Sequence, residues 1–145
     1  MATVSKSNDV ITIKAIELGS ATIAVTDGVV TRNISISVVE SITFTVTDLP
    51  NWIENNSCVI FAWAWGGNAG GGEWYSITIS GTTGTFSAPS DITGFNMARC
   101  VAGTSTPSWS AKGDSTGRVY NKTSDVSFLS GTTTYKSPDW VEYVP

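Results

Sequence analysis

Aromatic side chains around one glycine-rich stretch are the residues whose types and spacing suit a chemical task. Trp63 and Trp65 stand two residues apart in CVIFAWAWGGNAGGGEWY, Trp74 follows the glycines, and Trp109 lies further along the chain. Sugars present flat apolar C–H faces rimmed by hydroxyl groups. Because an indole ring offers a large apolar surface at little conformational cost, these four side chains are candidates to cradle a sugar ring.

Polar side chains near these rings are candidates to bind the hydroxyl groups of a sugar: Asn68, Glu73, Arg99 and Lys122. Each set has an alternative interpretation. Trp63 and Trp65 suit the core of a β-sandwich as well as a ligand platform, whereas Trp74 and Trp109 lie next to loops, which favours the platform. Arg99 equally suits a structural cation over an aromatic ring or a paired surface charge.

Catalytic and metal-binding groups are scarce. The chain has no histidine, which removes Ser–His and Cys–His nucleophile pairs and most zinc sites. The twelve acidic residues are scattered singly, and Glu73, set among aromatic residues, has no evident carboxylate partner. A calcium site would have to draw on Asp114, Asp125 or Asp139, which form no ligand-dense loop. We therefore expect a non-enzymatic protein without a metal or other cofactor.

Charge and hydropathy limit the partners. Eight basic residues against twelve acidic ones give a net charge of −4, which argues against a nucleic-acid partner. No apolar run approaches the ~18 residues of a membrane span. The amino-terminal segment MATVSKSND lacks the apolar core of a signal peptide, so we expect either export by another route or a piece of a larger secreted protein.

Two cysteines, Cys58 and Cys100, allow a single disulfide. Both lie in predicted strands, so a bridge across a sandwich is compatible with the pattern. Two free buried thiols are equally compatible. The sequence leaves this choice open.

The scaffold that must position these residues is predicted to be all-β, since β-branched and aromatic residues outnumber strong helix formers. Near the amino terminus, the alternating segments 10–16, 21–27 and 34–38 predict a three-stranded meander, with Asp27-Gly28 as a tight turn. The only boundary signal is Glu40-Ser41, so the predicted domains are residues 1–40 and 41–145.

The first segment resembles the second half of a bacterial immunoglobulin-like domain of group 2. The residues that carry the resemblance are ATVS at 2–5, VITIKAIELGSATIAVTDG at 10–28 and ISISVV at 34–39. Three strands cannot cover their own apolar face. We therefore expect this Ig-like face to pack on the second domain, a second copy of the chain or a neighbouring protein.

The second segment is predicted to be an antiparallel β-sandwich of jelly-roll or Ig-like type. Its central strand has an aromatic side and a small side, and Ala98, Cys100 and Ala102 are expected to match the small side. Residues 68–72 are expected to form a loose loop. Segments 76–80 and 84–88 predict a hairpin.

This domain resembles the sandwich-type carbohydrate-binding modules, in particular the starch-binding modules of family 26. The matching segments are Phe44, Pro50-Asn51-Trp52, Ala62-Trp63-Ala64-Trp65, Glu73-Trp74, Met97-Ala98-Arg99 and Asn121-Lys122-Thr123-Ser124-Asp125-Val126. Two departures fall where that family places ligand contacts, because Trp74 lacks the following Pro-Gly and Lys122 replaces Gln. The resemblance implies a glycan or polysaccharide as partner.

Together these patterns predict a surface-displayed binding protein, extracellular or on a virion, such as a bacteriophage decoration protein or adhesin with a glycan-binding module. The alternatives are a glycan-binding module from a secreted bacterial protein, or a structural capsid or assembly protein without a ligand.

Overall fold

The computed structural model describes residues 2–8, 10–55, 58–109 and 117–144, and this part of the chain is almost entirely β-structure. It contains fourteen strands, one helix of four residues at Trp52–Asn55 and one 3-10 turn at Gly67–Ala69. The prediction of an all-β fold with antiparallel sheets is confirmed. The chain divides into two compact units, Met1–Glu40 and Ser41–Pro145, here called unit 1 and unit 2.

Unit 1 consists of two antiparallel hairpins rather than one three-stranded meander. Strand β1 (Ala2–Ser7) pairs with β2 (Val10–Ala15), and β3 (Gly19–Thr26) pairs with β4 (Thr31–Val38). The prediction missed β1, and in the described residues no ladder joins β2 to β3. Each of these strands is therefore paired along one edge only.

The turn between β3 and β4 is longer than the expected two residues. It spans residues 27–30, because Thr26 pairs with Thr31. The Asp27 carboxylate accepts hydrogen bonds from the backbone N–H groups of Val29 and Val30, each at 2.8 Å. These two hydrogen bonds hold the pKa of Asp27 below its usual value, and the bond from Val30 makes the larger contribution. Gly28 takes a positive φ of 95°, which favours glycine.

Unit 1 has no closed core in its described residues. One face of each hairpin is apolar, as the register Val4–Ile13 and Ile23–Ile34 shows. None of the described side chains before Glu40 is buried. Val4 remains 48% exposed and Ile34 42% exposed, so these apolar faces are largely open to solvent.

Unit 2 contains two sheets. The six-stranded sheet has the order β14-β11-β10-β6-β7, with β12 also paired to β10, and the four-stranded sheet has the order β13-β5-β9-β8. The strands are β5 (Ser41–Thr47), β6 (Cys58–Trp65), β7 (Glu73–Ser76), β8 (Thr78–Ser80), β9 (Thr83–Pro89), β10 (Gly94–Val101), β11 (Val119–Thr123), β12 (Val126–Ser127), β13 (Thr134–Lys136) and β14 (Trp140–Glu142). All of these pairs are antiparallel except β13 with β5.

Aromatic side chains from both sheets form the main core of unit 2. Phe44 and Phe86 of the four-stranded sheet stack at 5.2 Å between ring centroids, and Phe86 meets Phe95 of the six-stranded sheet at 5.2 Å. From β6, Ile60, Ala62 and Ala64 point into the same core and are buried. Small residues on this side of β6 allow the phenylalanines to approach closely, which confirms its expected role as a packing face.

The predicted hairpin after the glycine-rich segment is present as β8 and β9, joined by Gly81-Thr82. Its first strand does not simply continue β7. The chain leaves the six-stranded sheet after Ser76 and enters the four-stranded sheet at Thr78, with buried Ile77 between them. This crossing connects the two layers of the sandwich, and Ile77 packs in the main core with the small-residue side of β6.

Candidate functional site

The aromatic side of β6 forms the outer face of the six-stranded sheet. Period-two alternation places Phe61, Trp63 and Trp65 on the side opposite to the main core. Trp63 lies directly across from Trp74 of β7 and across from Asn96 of β10. The sheet therefore gathers these side chains on one surface, here called the outer face.

Three of the four predicted tryptophans contact one another on the outer face. The ring centroids of Trp63 and Trp74 are 4.8 Å apart, and those of Trp74 and Trp109 are 4.6 Å apart. Trp63 and Trp109 meet edge to face at 6.1 Å, a favourable geometry for aromatic rings. We call Trp63, Trp74 and Trp109 the tryptophan cluster, and all three are half-buried.

The tryptophan cluster covers a second, smaller core. Beneath it lie four buried side chains: Phe61, Ala98, Cys100 and Val119. Tyr143 adds a ring 5.4 Å from Trp109 and donates a hydrogen bond from its hydroxyl to the Trp109 carbonyl. One side of the cluster therefore packs inward, and a fraction of each ring remains accessible.

Gly72 fits directly against Trp63. A Cβ at Gly72 would lie 2.2 Å from Cζ2 of the Trp63 indole, and the glycine has a φ of 133°, a conformation that other residues rarely adopt. The absence of a side chain at this position lets the backbone lie on the ring. One part of Trp63 is thereby covered by the chain that leads into β7.

The glycine-rich loop is held by hydrogen bonds, in contrast to the loose loop expected over 68–72. The Asn68 backbone N–H donates to Asp91 Oδ1 at 3.1 Å, and the Asn68 side-chain Nδ2 donates to Asp91 Oδ2 at 2.6 Å. Ala69 is buried, and Gly66, Gly70 and Ala69 exchange backbone hydrogen bonds. Because Asn68 is engaged by Asp91, its side chain holds the loop in place.

Trp65 differs from the cluster. In the described part of the chain it makes no ring–ring contact. Its indole lies over Gly94, where a Cβ would come within 2.7 Å of the ring. Trp65 is half-buried and rests on a glycine rather than beneath other rings.

Glu73 lies on the other side of the sheet from the tryptophan cluster. It pairs with Ala64 in the register of β6 and β7, whereas Trp74 pairs with Trp63. Its carboxylate accepts a hydrogen bond from the Tyr75 hydroxyl at 3.0 Å. The pKa of Tyr75 is raised to about 12, mainly by desolvation of its hydroxyl and to a smaller extent by Glu73.

Arg99 also faces away from the cluster and packs as a structural cation. Its guanidinium lies 5.4 Å from the ring centroid of Trp52 and 5.7 Å from that of Tyr120. Nη1 donates to Asn121 Oδ1 at 3.1 Å. These contacts match the structural interpretation of this residue.

Lys122 is the one predicted polar residue that shares the outer face. It pairs with Ala98 of β10 and with Val141 of β14, and Ala98 belongs to the small core under the cluster. The structure therefore brings together the four tryptophans and Lys122 on one sheet face, and places Glu73 and Arg99 elsewhere.

The two cysteines are free, so the disulfide alternative is wrong. Cys100 pairs with Val59, while Cys58 pairs with Val101. Adjacent residues of a strand point to opposite faces, so the two sulfur atoms lie on opposite sides of the sheet. Ala98 and Cys100 accordingly lie on the aromatic side of β6 and not on its small side as expected. Burial, with a smaller contribution from Cys58, raises the pKa of the Cys100 thiol to about 11.

Asn96 and Asp125 are two hydrogen-bonded polar residues at the outer face. From the sequence, Asp125 is a candidate calcium ligand, and Asn96 has no expected role. Asn96 lies across from Trp63, is only 7% exposed and donates from Nδ2 to Asp125 Oδ1 at 2.9 Å. A lone asparagine inside the apolar strand GFNMARCV was the available signal, since a buried polar side chain requires a partner.

Within the described residues, no group of three His, Cys, Asp or Glu side chains is placed to hold a metal ion. No helix in that part of the chain is long and apolar enough to cross a membrane. Comparison with protein-family models, curated proteins and solved structures finds no significant match to this chain.

Proposed function

We propose that the chain is a non-enzymatic, surface-displayed protein whose unit 2 binds a glycan on the outer face of the six-stranded sheet. The observation that supports this most is the gathering of Trp63, Trp65, Trp74 and Trp109, all half-buried, on one face. The stacked C–H groups of a sugar gain apolar contact from accessible indoles, and rigid rings lose little entropy on binding.

Rigidity of the surface adds to this argument. The loop beside the rings is tied to Asp91, and Gly72 lies against Trp63. A preformed surface lowers the entropic cost of binding a flexible oligosaccharide. In this proposal Trp65 contacts the sugar most directly, since no other ring covers it in the described structure.

Surface display gives a role to unit 1. Its exposed apolar faces favour contact with a neighbouring protein or with a second copy of the chain. A bacteriophage particle or a secreted bacterial protein would supply such a neighbour, with unit 2 presented to glycans outside. We therefore also propose that the chain lies on a virion surface or outside the cell and acts as an adhesin.

A glycan array, followed by calorimetric titration of the best-bound oligosaccharide, tests the proposal. We expect millimolar to micromolar binding that Trp65→Ala and Trp74→Ala weaken at least tenfold. Tyr120→Ala, which removes an exposed aromatic ring that packs on Arg99 and not on the tryptophan cluster, serves as the control and retains binding. No binding to any glycan on the array contradicts the proposal.

A structural or assembly role without a ligand is the second candidate. It is favoured by the packing of the tryptophan cluster over Phe61 and Cys100, since these rings stabilise the domain without any sugar. In that case, Trp74→Ala lowers stability and no glycan binds. Light scattering on the whole chain, which detects association through unit 1, complements this test.

A further inference from the structure

A carboxylate and an amide are hydrogen-bonded to each other on the outer face beside Trp65. Asn96 and Gly94 lie two residues apart on β10 and face the same side, with Gly94 directly across from Trp65. Residues diagonal across neighbouring strands have side chains roughly 7–8 Å apart, so Asn96 lies about one sugar ring away from Trp65. Asp125 is fixed to Asn96 at 2.9 Å and is exposed.

Hydrogen bonding at this pair is incomplete. Asn96 Oδ1 is buried and has no donor among the described residues. Asp125 accepts the Asn96 bond on one oxygen, and its second oxygen likewise has no donor in the described part of the chain. Because Nδ2 must donate to the carboxylate, Oδ1 is fixed as an acceptor. Of the two side chains, the exposed Asp125 carboxylate is the acceptor that a ligand can reach.

A purely structural role does not account for this arrangement. A buried acceptor without a donor costs about 1–3 kcal/mol, and an apolar residue in β10 would avoid that cost. Asn96 does, however, hold the Asp125 carboxylate in one place, next in the chain to Val126. A Cβ built at Gly94 would lie 2.9 Å from the Val126 carbonyl and 2.7 Å from the Trp65 ring, so this segment passes close to Trp65. A positioned carboxylate on the same sheet face as an accessible aromatic ring suits a ligand that presents both a C–H face and hydroxyl donors.

We propose that Asp125 binds two adjacent hydroxyl groups of the sugar ring that stacks on Trp65, with Asn96 as the residue that positions it. This inference rests on the proposed glycan-binding function and names the polar contact that selects the sugar. A carboxylate accepts from two neighbouring hydroxyls at once, and such charge-assisted hydrogen bonds are stronger than neutral ones. Sugars that lack the vicinal diol are then rejected, because Asp125 is left unpaired.

The test uses the whole chain and the array oligosaccharide that binds best, with its monodeoxy analogues. Asp125→Asn keeps the shape and the bond to Asn96 but removes the charge, so we expect about tenfold weaker binding. Glu142→Gln makes the same charge change on β14, where Glu142 pairs with Asn121 on the side opposite to the outer face, and should bind as the unmodified chain does.

The deoxy analogues separate direct contact from an indirect effect on folding. Removing one hydroxyl of the recognised diol should weaken binding by the unmodified chain about tenfold, and by Asp125→Asn less than about threefold. Asn96→Ala should show the same reduced sensitivity while its thermal midpoint stays near that of the unmodified chain, since the variant also removes the unpaired Oδ1.

Three outcomes decide the matter. Equal binding by Asp125→Asn and the unmodified chain, with binding lost in Trp65→Ala, overturns this inference and leaves the proposed function intact. Equal sensitivity of both proteins to every deoxy analogue also overturns it. If no oligosaccharide binds at all, both the inference and the proposed function are refuted.

Discussion

Replacing Gly72 by alanine tests the contact between the glycine-rich loop and the tryptophan cluster. A Cβ at this position would lie 2.2 Å from Cζ2 and 2.3 Å from Cε2 of Trp63, far inside van der Waals contact. The φ of 133° adds backbone strain of roughly 1–3 kcal/mol for a non-glycine residue. Overpacking adds about 1–3 kcal/mol, so we expect Gly72→Ala to lower the free energy of unfolding by about 2–6 kcal/mol.

The neighbouring glycine supplies a matched control. Nothing lies within 4 Å of a Cβ added at Gly71. Its φ is not positive, so Gly71→Ala should leave the stability unchanged or slightly raise it. The two variants differ by one position in the same loop and carry the same substitution.

Urea unfolding followed by tryptophan fluorescence measures the difference. All six tryptophans lie in unit 2, so the signal reports that unit. With a urea dependence of about 2 kcal/mol/M, Gly72→Ala should lower the midpoint by about 1–3 M relative to Gly71→Ala. Equal midpoints for the two variants would show that the loop does not rest on Trp63, and would refute the described geometry of the outer face.

Three further predictions concern the core, the thiols and pH. Phe44→Ala should lower the free energy of unfolding by about 3–5 kcal/mol, because Phe44 is fully buried against Phe86 and Phe128. Phe128→Ala, at a half-buried position, is the reference variant. If Phe44→Ala lowers the free energy of unfolding in urea no more than Phe128→Ala does, this prediction is contradicted. Thiol labelling at pH 8 should modify Cys58 and spare Cys100, whose pKa is raised to about 11, until urea exposes it. Rapid labelling of both thiols in the folded protein would contradict the burial of Cys100. Labelling of neither thiol unless a reductant is added would contradict the free state of the two cysteines. Tyr75, with a pKa raised from 10.0 to about 12, should contribute stability below pH 10 that is lost as the pH rises towards 12. Ultraviolet titration should show that Glu73→Gln lowers this pKa, and an unchanged titration would contradict the hydrogen bond between the two side chains.

Alternation along single strands was enough to predict much of the fold. The period-two pattern of β6 correctly separated a small-residue side, which includes Ile60 and Ala62, from an aromatic side that includes Trp63. The same rule would have placed Glu73 and Trp74 on opposite faces, because consecutive residues of a strand cannot share one. Their proximity along the chain was instead the reason for expecting both residues at one site.

Pairing between distant strands was not predictable in the same way. Ala98 and Cys100 were matched to the wrong side of β6, because a register shift of one residue moves every side chain to the other face. The order of the glycine-rich loop depends on Asp91, 23 residues from Asn68. Glycines alone predict freedom of the backbone, and only the tertiary hydrogen bonds remove it.

Indole N–H signals in a two-dimensional ¹H–¹⁵N spectrum, recorded while the array oligosaccharide is added, test the central claim most directly. Each of the six tryptophans gives one signal, which single Trp→Phe variants assign. We expect the signals of Trp65, Trp63 and Trp74 to shift saturably. Those of Trp52 and Trp140, which contact each other and pack against the main core on the opposite side, should stay in place. Shifts confined to Trp52 and Trp140, or no shift with any glycan, would contradict sugar binding on the outer face.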